Sequence, residues 1–145
     1  MTNLKKITAE TTFEVRNPVL RPQLPVESCH FDGDHLDSTI HFGFYLEEKI
    51  VGVVSVFEKS NAIWDFKNQY QIRGMAVLKD FQKKKIGEQL VNVVIELAHE
   101  KKMDIIWFNA RKNAVPFYEK LGFHIYGTAF EIENVGTHFV MYRTL

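Results

Sequence analysis

The sequence predicts an α/β (α+β) fold, a single domain over residues 1–145 with helices flanking a mixed β-sheet. Three observations carry this expectation. Tyr70 and Ile72 alternate before the run Met75 to Val77, as a buried strand requires. After a lysine-bearing loop, Ile86, Leu90, Val94 and Leu97 recur at helical spacing, with Glu88, Gln89, Asn92 and Glu96 on the other side. Asp104 to Asn109 then reads as a second buried strand, so strand, helix and strand form a β-α-β crossover, while hairpin patterns on either side add antiparallel pairs. With 145 residues, 46% of them apolar, the chain suffices for one core and calls for no linker or second module.

The elements follow in order. Leu4 to Ile7 suits a short strand, and Thr8 is placed to cap a helix that carries Thr12, Phe13, Val15 and Leu20 inward. Pro18 disfavours helical geometry at the residue before it, so this helix is expected to stop near Asn17 or to bend there. Arg21 to Thr39 has no clear period and is rich in Pro, Gly and Asp; it reads equally as a binding loop or as a short helix with poor patterning. Ile40 to Leu46 and Ile50 to Glu58 alternate as a hairpin about Glu47-Glu48-Lys49, and Ser60 to Phe66 turns towards the central strand. Asn113 is placed to cap a short helix with Pro116 in its first turn and Gly122 as its left-handed stop. Phe123 to Glu131 and Thr137 to Arg143 read as two closing strands joined around Asn134 and Gly136.

The chemistry is expected in the loop Lys79-Asp80-Phe81-Gln82-Lys83-Lys84-Lys85-Ile86-Gly87. A loop that feeds a helix start offers unpaired backbone N–H groups and the positive end of the helix dipole, and its lysines add mobile charge, so it suits a phosphate-bearing ligand. Alone, a lysine run is more often a solvated face; its place between this strand and this helix reverses that balance.

Gln82-x-x-x-x-Gly87 after Met75-Ala76-Val77, with Asn113-Ala-Val-Pro-Phe-Tyr118-Glu-Lys-Leu-Gly-Phe123 downstream, resembles the GNAT superfamily of acetyl-CoA-dependent N-acetyltransferases. The resemblance covers nearly the whole chain and implies a GNAT fold with a splayed central sheet. It implies that backbone groups of Met75, Ala76 and Val77 hold the pantetheine arm and acetyl carbonyl of acetyl-CoA. It further implies that Gln82, Lys83, Lys84, Lys85, Ile86 and Gly87 surround the pyrophosphate, and that Tyr118 protonates the leaving thiolate. A phenol of ordinary pKa near 10 can donate to such a thiolate; otherwise Tyr118 is a half-buried helix residue. The sequence departs from the family pattern at Lys85, where the family has a glycine, and at Arg111, where an amide side chain often holds pantetheine. Arginine donates but cannot accept, so Arg111 contacts the cofactor differently or Asn109 or Asn113 supplies the amide.

No glutamate in the central strand offers itself as the base for the acceptor amine. His41 and His138 titrate in the right range, although a lone strand histidine is more often structural. Arg73 is suited to a carboxylate on the acceptor, or to a surface salt bridge. The expected acceptor is a small-molecule or protein amine, and a homodimer is compatible with the sequence. A non-catalytic acyl-CoA-binding or sensing module is the alternative.

Other classes are disfavoured. A formal net charge of zero argues against nucleic acid as the partner, even with Lys79 and the three consecutive lysines. The spacings of Cys29, His30, His35 and His41 match no zinc pattern, so no metal is expected. Met1 to Ile7 lacks the apolar core of a signal peptide, and Ile50 to Phe57 is far short of the roughly 20 residues that span a membrane. One cysteine excludes an intramolecular disulfide and fits a reducing compartment, with cytoplasm the default.

Overall fold

The computed structural model describes residues 3–145. Seven strands form one mixed sheet in the order β1-β2-β3-β4-β5-β7-β6: β1 is Leu4–Ile7, β2 Ile40–Leu46, β3 Lys49–Glu58, β4 Gln69–Val77, β5 Ile105–Arg111, β6 His124–Ile132 and β7 Gly136–Thr144. Three α-helices accompany it, α1 at Ala9–Leu20, α2 at Ile86–Glu100 and α3 at Val115–Glu119. The backbone gathers into two compact units, one formed by the chain up to Glu58 with Ile72–Leu97, the other by Lys59–Gln71 with Ala98–Leu145.

In the first unit, α1 is capped as its sequence suggests, since Thr8 Oγ1 accepts the Thr11 N–H at 3.2 Å. The helix does not stop at Asn17; it continues through Pro18 to Leu20. The carbonyl that proline deprives of a donor belongs to Glu14, and both residues are exposed, so water can replace the lost bond. Asn17 secures the end, its amide donating to the carbonyls of Arg21 and Leu24 at 3.0 and 3.1 Å. The inward face also differs from expectation: Ala9, Thr12, Val15 and Arg16 are buried, while Phe13 and Leu20 are only partly so. The segment from Arg21 to Thr39 holds one short 3-10 turn, Val26–Cys29, among irregular turns.

The β2–β3 hairpin is closed by two residues, Glu47 and Glu48, both in the left-handed region at φ 46° and 70°. That is the backbone of a type I′ turn, whose twist matches the strands. Lys49 pairs with Leu46 and so belongs to β3. α2 packs closely on β3 at Gly52, where an added Cβ would meet Leu90 Cδ1 at 3.0 Å and Ile86 Cγ2 at 3.1 Å. The inward positions Ile86, Leu90, Val94 and Leu97 are all buried, as the helical spacing predicts.

In the second unit β4 and β5 run parallel, but their ladder is short: Gln69 with Ile105, Tyr70 with Ile106, Gln71 with Trp107. Asp104 precedes β5 and aligns this ladder, since its carboxylate accepts the Asn68 N–H at 3.0 Å and its own N–H donates to the Asn68 carbonyl at 2.9 Å. Antiparallel β7 lies between β5 and β6. Trp64 packs against Trp107, Tyr126 and Tyr142 with centroids 5.5 to 6.4 Å apart, which gives the turn before β4 an aromatic anchor. Asn113 does not cap α3. A 3-10 turn over Lys112–Ala114 runs directly into that helix and the Val115 N–H bonds the Lys112 carbonyl, so the first turn needs no side-chain cap. Gly122, at φ 89°, ends the segment as expected.

Candidate active site

The phosphate-suited loop lies wholly in the first unit. β4 ends at Val77, a 3-10 turn covers Lys79–Phe81, and α2 starts at Ile86. Lys83 and Lys85 both adopt left-handed backbone, each at φ 63°. Left-handed residues alternating with others turn successive N–H groups towards one concavity, the form of backbone that receives anions at a helix start. The conformation also explains the family's glycine: Lys85 occupies a position where a Cβ costs about 1–2 kcal/mol. Lys83, Lys84 and Lys85 are exposed, Gly87 is half-buried in the first helical turn, and the Ile86 side chain is buried, so its contribution to a ligand would come from backbone. The Gln82 amide donates to the Val77 carbonyl at 3.0 Å and ties the loop to the end of β4. Ala76 is buried, and Met75 and Val77 are partly so.

Two further candidates in this unit have different surroundings. His41 is buried, with Nδ1 2.6 Å from Ser55 Oγ and Nε2 2.9 Å from the Asp34 carbonyl. A carbonyl can only accept, so Nε2 carries the proton and Nδ1 accepts from the serine hydroxyl. Burial lowers the pKa of this ring despite the Asp34 carbonyl's opposing effect. The neutral ring therefore has no lone pair left for an acceptor amine. Arg73 is half-buried against Phe31 and Phe57, its Cζ 4.5 and 5.7 Å from the ring centroids.

Behind His41 lies a polar network that the sequence did not reveal. Arg16, with no exposed surface, pairs bidentately with Asp34 at 2.8 and 3.1 Å and donates to the Cys29 carbonyl and Ser55 Oγ. Burial works to raise the Asp34 carboxyl, but the Arg16 bonds, the Phe31 N–H and the Arg16 charge outweigh it and hold the group below its ordinary value. A signal was present: Arg16 sits four residues after Thr12 on the inward face of α1. Gly74 carried another, since a glycine inside a strand pattern often marks a close backbone approach. Its φ is 66°, and an added Cβ would stand 2.7 Å from Phe31 Cε2.

The second unit holds Asn109, Arg111, Asn113, Tyr118 and His138. Asn109 and Arg111 are exposed on β5, facing Val140 and His138 across the ladder, and Asn113 is exposed in the 3-10 turn. His138 is buried, with Nδ1 2.8 Å from the Gly136 carbonyl, so Nδ1 carries the proton and the neutral ring keeps its lone pair on Nε2. Tyr118 is 8% exposed, its ring 4.4 Å from Phe108, 5.0 Å from Phe117 and 6.2 Å from Phe123, centroid to centroid. Burial pushes the phenol up to about 12, so the group is protonated throughout the neutral range. Of the residues considered for metal, Cys29 is buried, and His35 contacts the His30 ring and the Glu10 carboxylate; among the described residues no three His, Cys, Asp or Glu side chains form a group able to hold an ion. No helix among those residues is long and apolar enough to cross a membrane.

A mixed seven-stranded sheet carries an anion-suited loop between β4 and the start of α2. Residues 4–123 match the acetyltransferase (GNAT) family, and the chain belongs to that family; it is an acyltransferase that takes its acetyl group from acetyl-CoA. Over 145 residues, 100% of this chain and 97% of the relative, it is 32% identical to YitI of Bacillus subtilis (strain 168), an uncharacterized N-acetyltransferase. Among solved structures it resembles Escherichia coli ElaA, with a TM-score of 0.77 at 18% identity over 99% of each chain. It also resembles an aminoglycoside 6′-N-acetyltransferase complexed with coenzyme A, with a TM-score of 0.74 at 14% identity over 97% of this chain and 96% of that one. At these identities the likeness to solved structures concerns the fold.

Proposed function

We propose that the protein transfers the acetyl group of acetyl-CoA directly to a primary amine, with the Lys83–Lys85 loop receiving the pyrophosphate. The observation that carries this reading is the left-handed backbone of Lys83 and Lys85 immediately before the start of α2. Backbone N–H groups there, the helix dipole and the lysine charges act together on the phosphates. The backbone of Met75, Ala76 and Val77 takes the pantetheine arm and polarises the acetyl carbonyl. The amine attacks that carbonyl, the C–N bond forms as the C–S bond breaks, and Tyr118 gives its proton to the departing sulfur. Of the two histidines, His138 is the one with a ring nitrogen able to take the amine proton. Asn109, Arg111 and Asn113 are the further candidates for contacts with the cofactor. A cytoplasmic location suits the buried, unpaired Cys29.

The test is a thermal melt with and without acetyl-CoA. At about 100 times its dissociation constant the ligand adds roughly 2.7 kcal/mol and raises Tm by several degrees. Gly87→Val crowds the loop and removes most of this shift, whereas Lys83→Ala, losing one exposed charge, weakens it by at most about 1 kcal/mol. An unchanged shift in a folded Gly87→Val protein would place the phosphates elsewhere. No shift at millimolar acetyl-CoA in the wild type would overturn the reading itself.

A further inference from the structure

Two guanidinium groups lie against the ring of Phe31, Arg16 Cζ at 3.9 Å and Arg73 Cζ at 4.5 Å from its centroid. Their charges are balanced differently. Arg16 has both oxygens of Asp34, and Asp34 Oδ2 also accepts the Phe31 N–H, so that carboxylate is fully engaged. Arg73 has no such partner: among the described residues the ion pairs are Arg16–Asp34 and Glu10–His35. Burial and the neighbouring Arg16 charge push the Arg73 guanidinium below its ordinary value, and Asp34 and Asp32 offset this only in part. A half-buried cation held on two aromatic rings, with its planar fork uncommitted, is suited to take a carboxylate through two parallel hydrogen bonds.

Its position on the chain says which carboxylate. Arg73 precedes Met75 by two residues on β4. Gly74, between them, takes a backbone conformation that brings the strand against Phe31 and Arg16, where a Cβ would stand 2.7 Å from the Phe31 ring and 3.2 Å from Arg16 Nε. The close approach sets Arg73 beside the segment proposed to hold the acetyl carbonyl.

We infer that the acceptor is an amino-acid-like zwitterion, its carboxylate held by Arg73 while its amine, a few bonds away, meets the acetyl group. The inference rests on the acetyltransferase reading and names the substrate class of that site. A polycation, of the kind acetylated by the aminoglycoside enzyme of similar fold, would bring like charge towards Arg73 instead.

The experiment compares thiol release from acetyl-CoA with α-, β- and γ-amino acids, each beside its own carboxamide, and with polyamines. The best amino acid exceeds its carboxamide in kcat/KM by about 10- to 100-fold, the scale of charge-assisted hydrogen bonds. Arg73→Gln removes that preference by raising KM for the acid and leaves the acetyl-CoA melting shift in place, which also shows the variant folded. Arg73→Lys restores part of it, because charge returns without the fork. Carboxamides or polyamines used as well as the acids, or a preference that survives Arg73→Gln, overturns the inference, as does acetyl-CoA binding with no turnover of any amino acid. No melting shift of the wild type with acetyl-CoA is a different result and overturns the acetyltransferase reading.

Discussion

Tyr118 makes the residue-scale case most directly. Its ring is packed among Phe108, Phe117 and Phe123, and the same burial that anchors it raises its pKa from the ordinary 10.0 to about 12. Tyr118→Phe keeps the ring and deletes the donor. Turnover is expected to fall about 10²-fold where chemistry limits the rate, with acetyl-CoA affinity nearly unchanged. Wild-type turnover under those conditions would make the tyrosine a packing residue. The raised pKa also has a stability consequence whose sign is fixed. The neutral phenol is favoured in the folded state, so its contribution is complete below pH 10 and is lost as pH rises from 10 through about 12. At about 1.4 kcal/mol per unit, the loss is roughly 3 kcal/mol. Urea unfolding between pH 9 and pH 12 measures it, and Tyr118→Phe should flatten this part of the curve. The family motif Phe-Tyr-x-x-x-Gly-Phe was legible in the chain; the aromatic cage around the tyrosine was not, because Phe108 comes from β5 and only folding brings it to the ring.

The loop between β4 and α2 shows what an element adds to its residues. Three successive lysines and Gly87 were visible, and so was the departure from glycine at Lys85. The backbone conformation was not, since φ is set by how the loop is held between Val77 and Ile86, including the Gln82 amide on the Val77 carbonyl. The left-handed backbone makes a definite prediction. Lys85→Gly relieves a strain of about 1–2 kcal/mol and gives back part of it by loosening the unfolded chain, for a net gain of about 0.5–1 kcal/mol in chemical denaturation. A loss of stability would mean that the Lys85 side chain makes contacts worth more than its strain. α1 illustrates the same limit from the other side. Pro18 predicts a stop near Asn17 or a bend there; of these the stop does not occur, since Glu14, whose carbonyl is deprived of its donor, is exposed and Asn17 secures the end.

At the scale of the molecule, Arg16 from α1, Asp34 from the irregular segment, His41 from β2 and Ser55 from β3 meet in one buried network. Asp34→Asn would leave the Arg16 charge buried without compensation, at about 3–5 kcal/mol, read as a drop in the denaturation midpoint. A change under about 1 kcal/mol would show that water or rearrangement replaces the lost carboxylate. The sequence by itself determined the α/β class, all seven strands apart from their exact ends, the inward face of α2 and the family, because periodicity, turn chemistry and motif are local properties of the chain. Only the tertiary structure decided that His41 is committed to Ser55 and Asp34, that Arg16 is buried against Asp34, and that Arg73 rests on Phe31 with no ion pair to a carboxylate among the described residues. Those outcomes depend on which groups meet in space and on the free energy of removing each charge from water, and neither is written in the spacing of residues along one strand or helix.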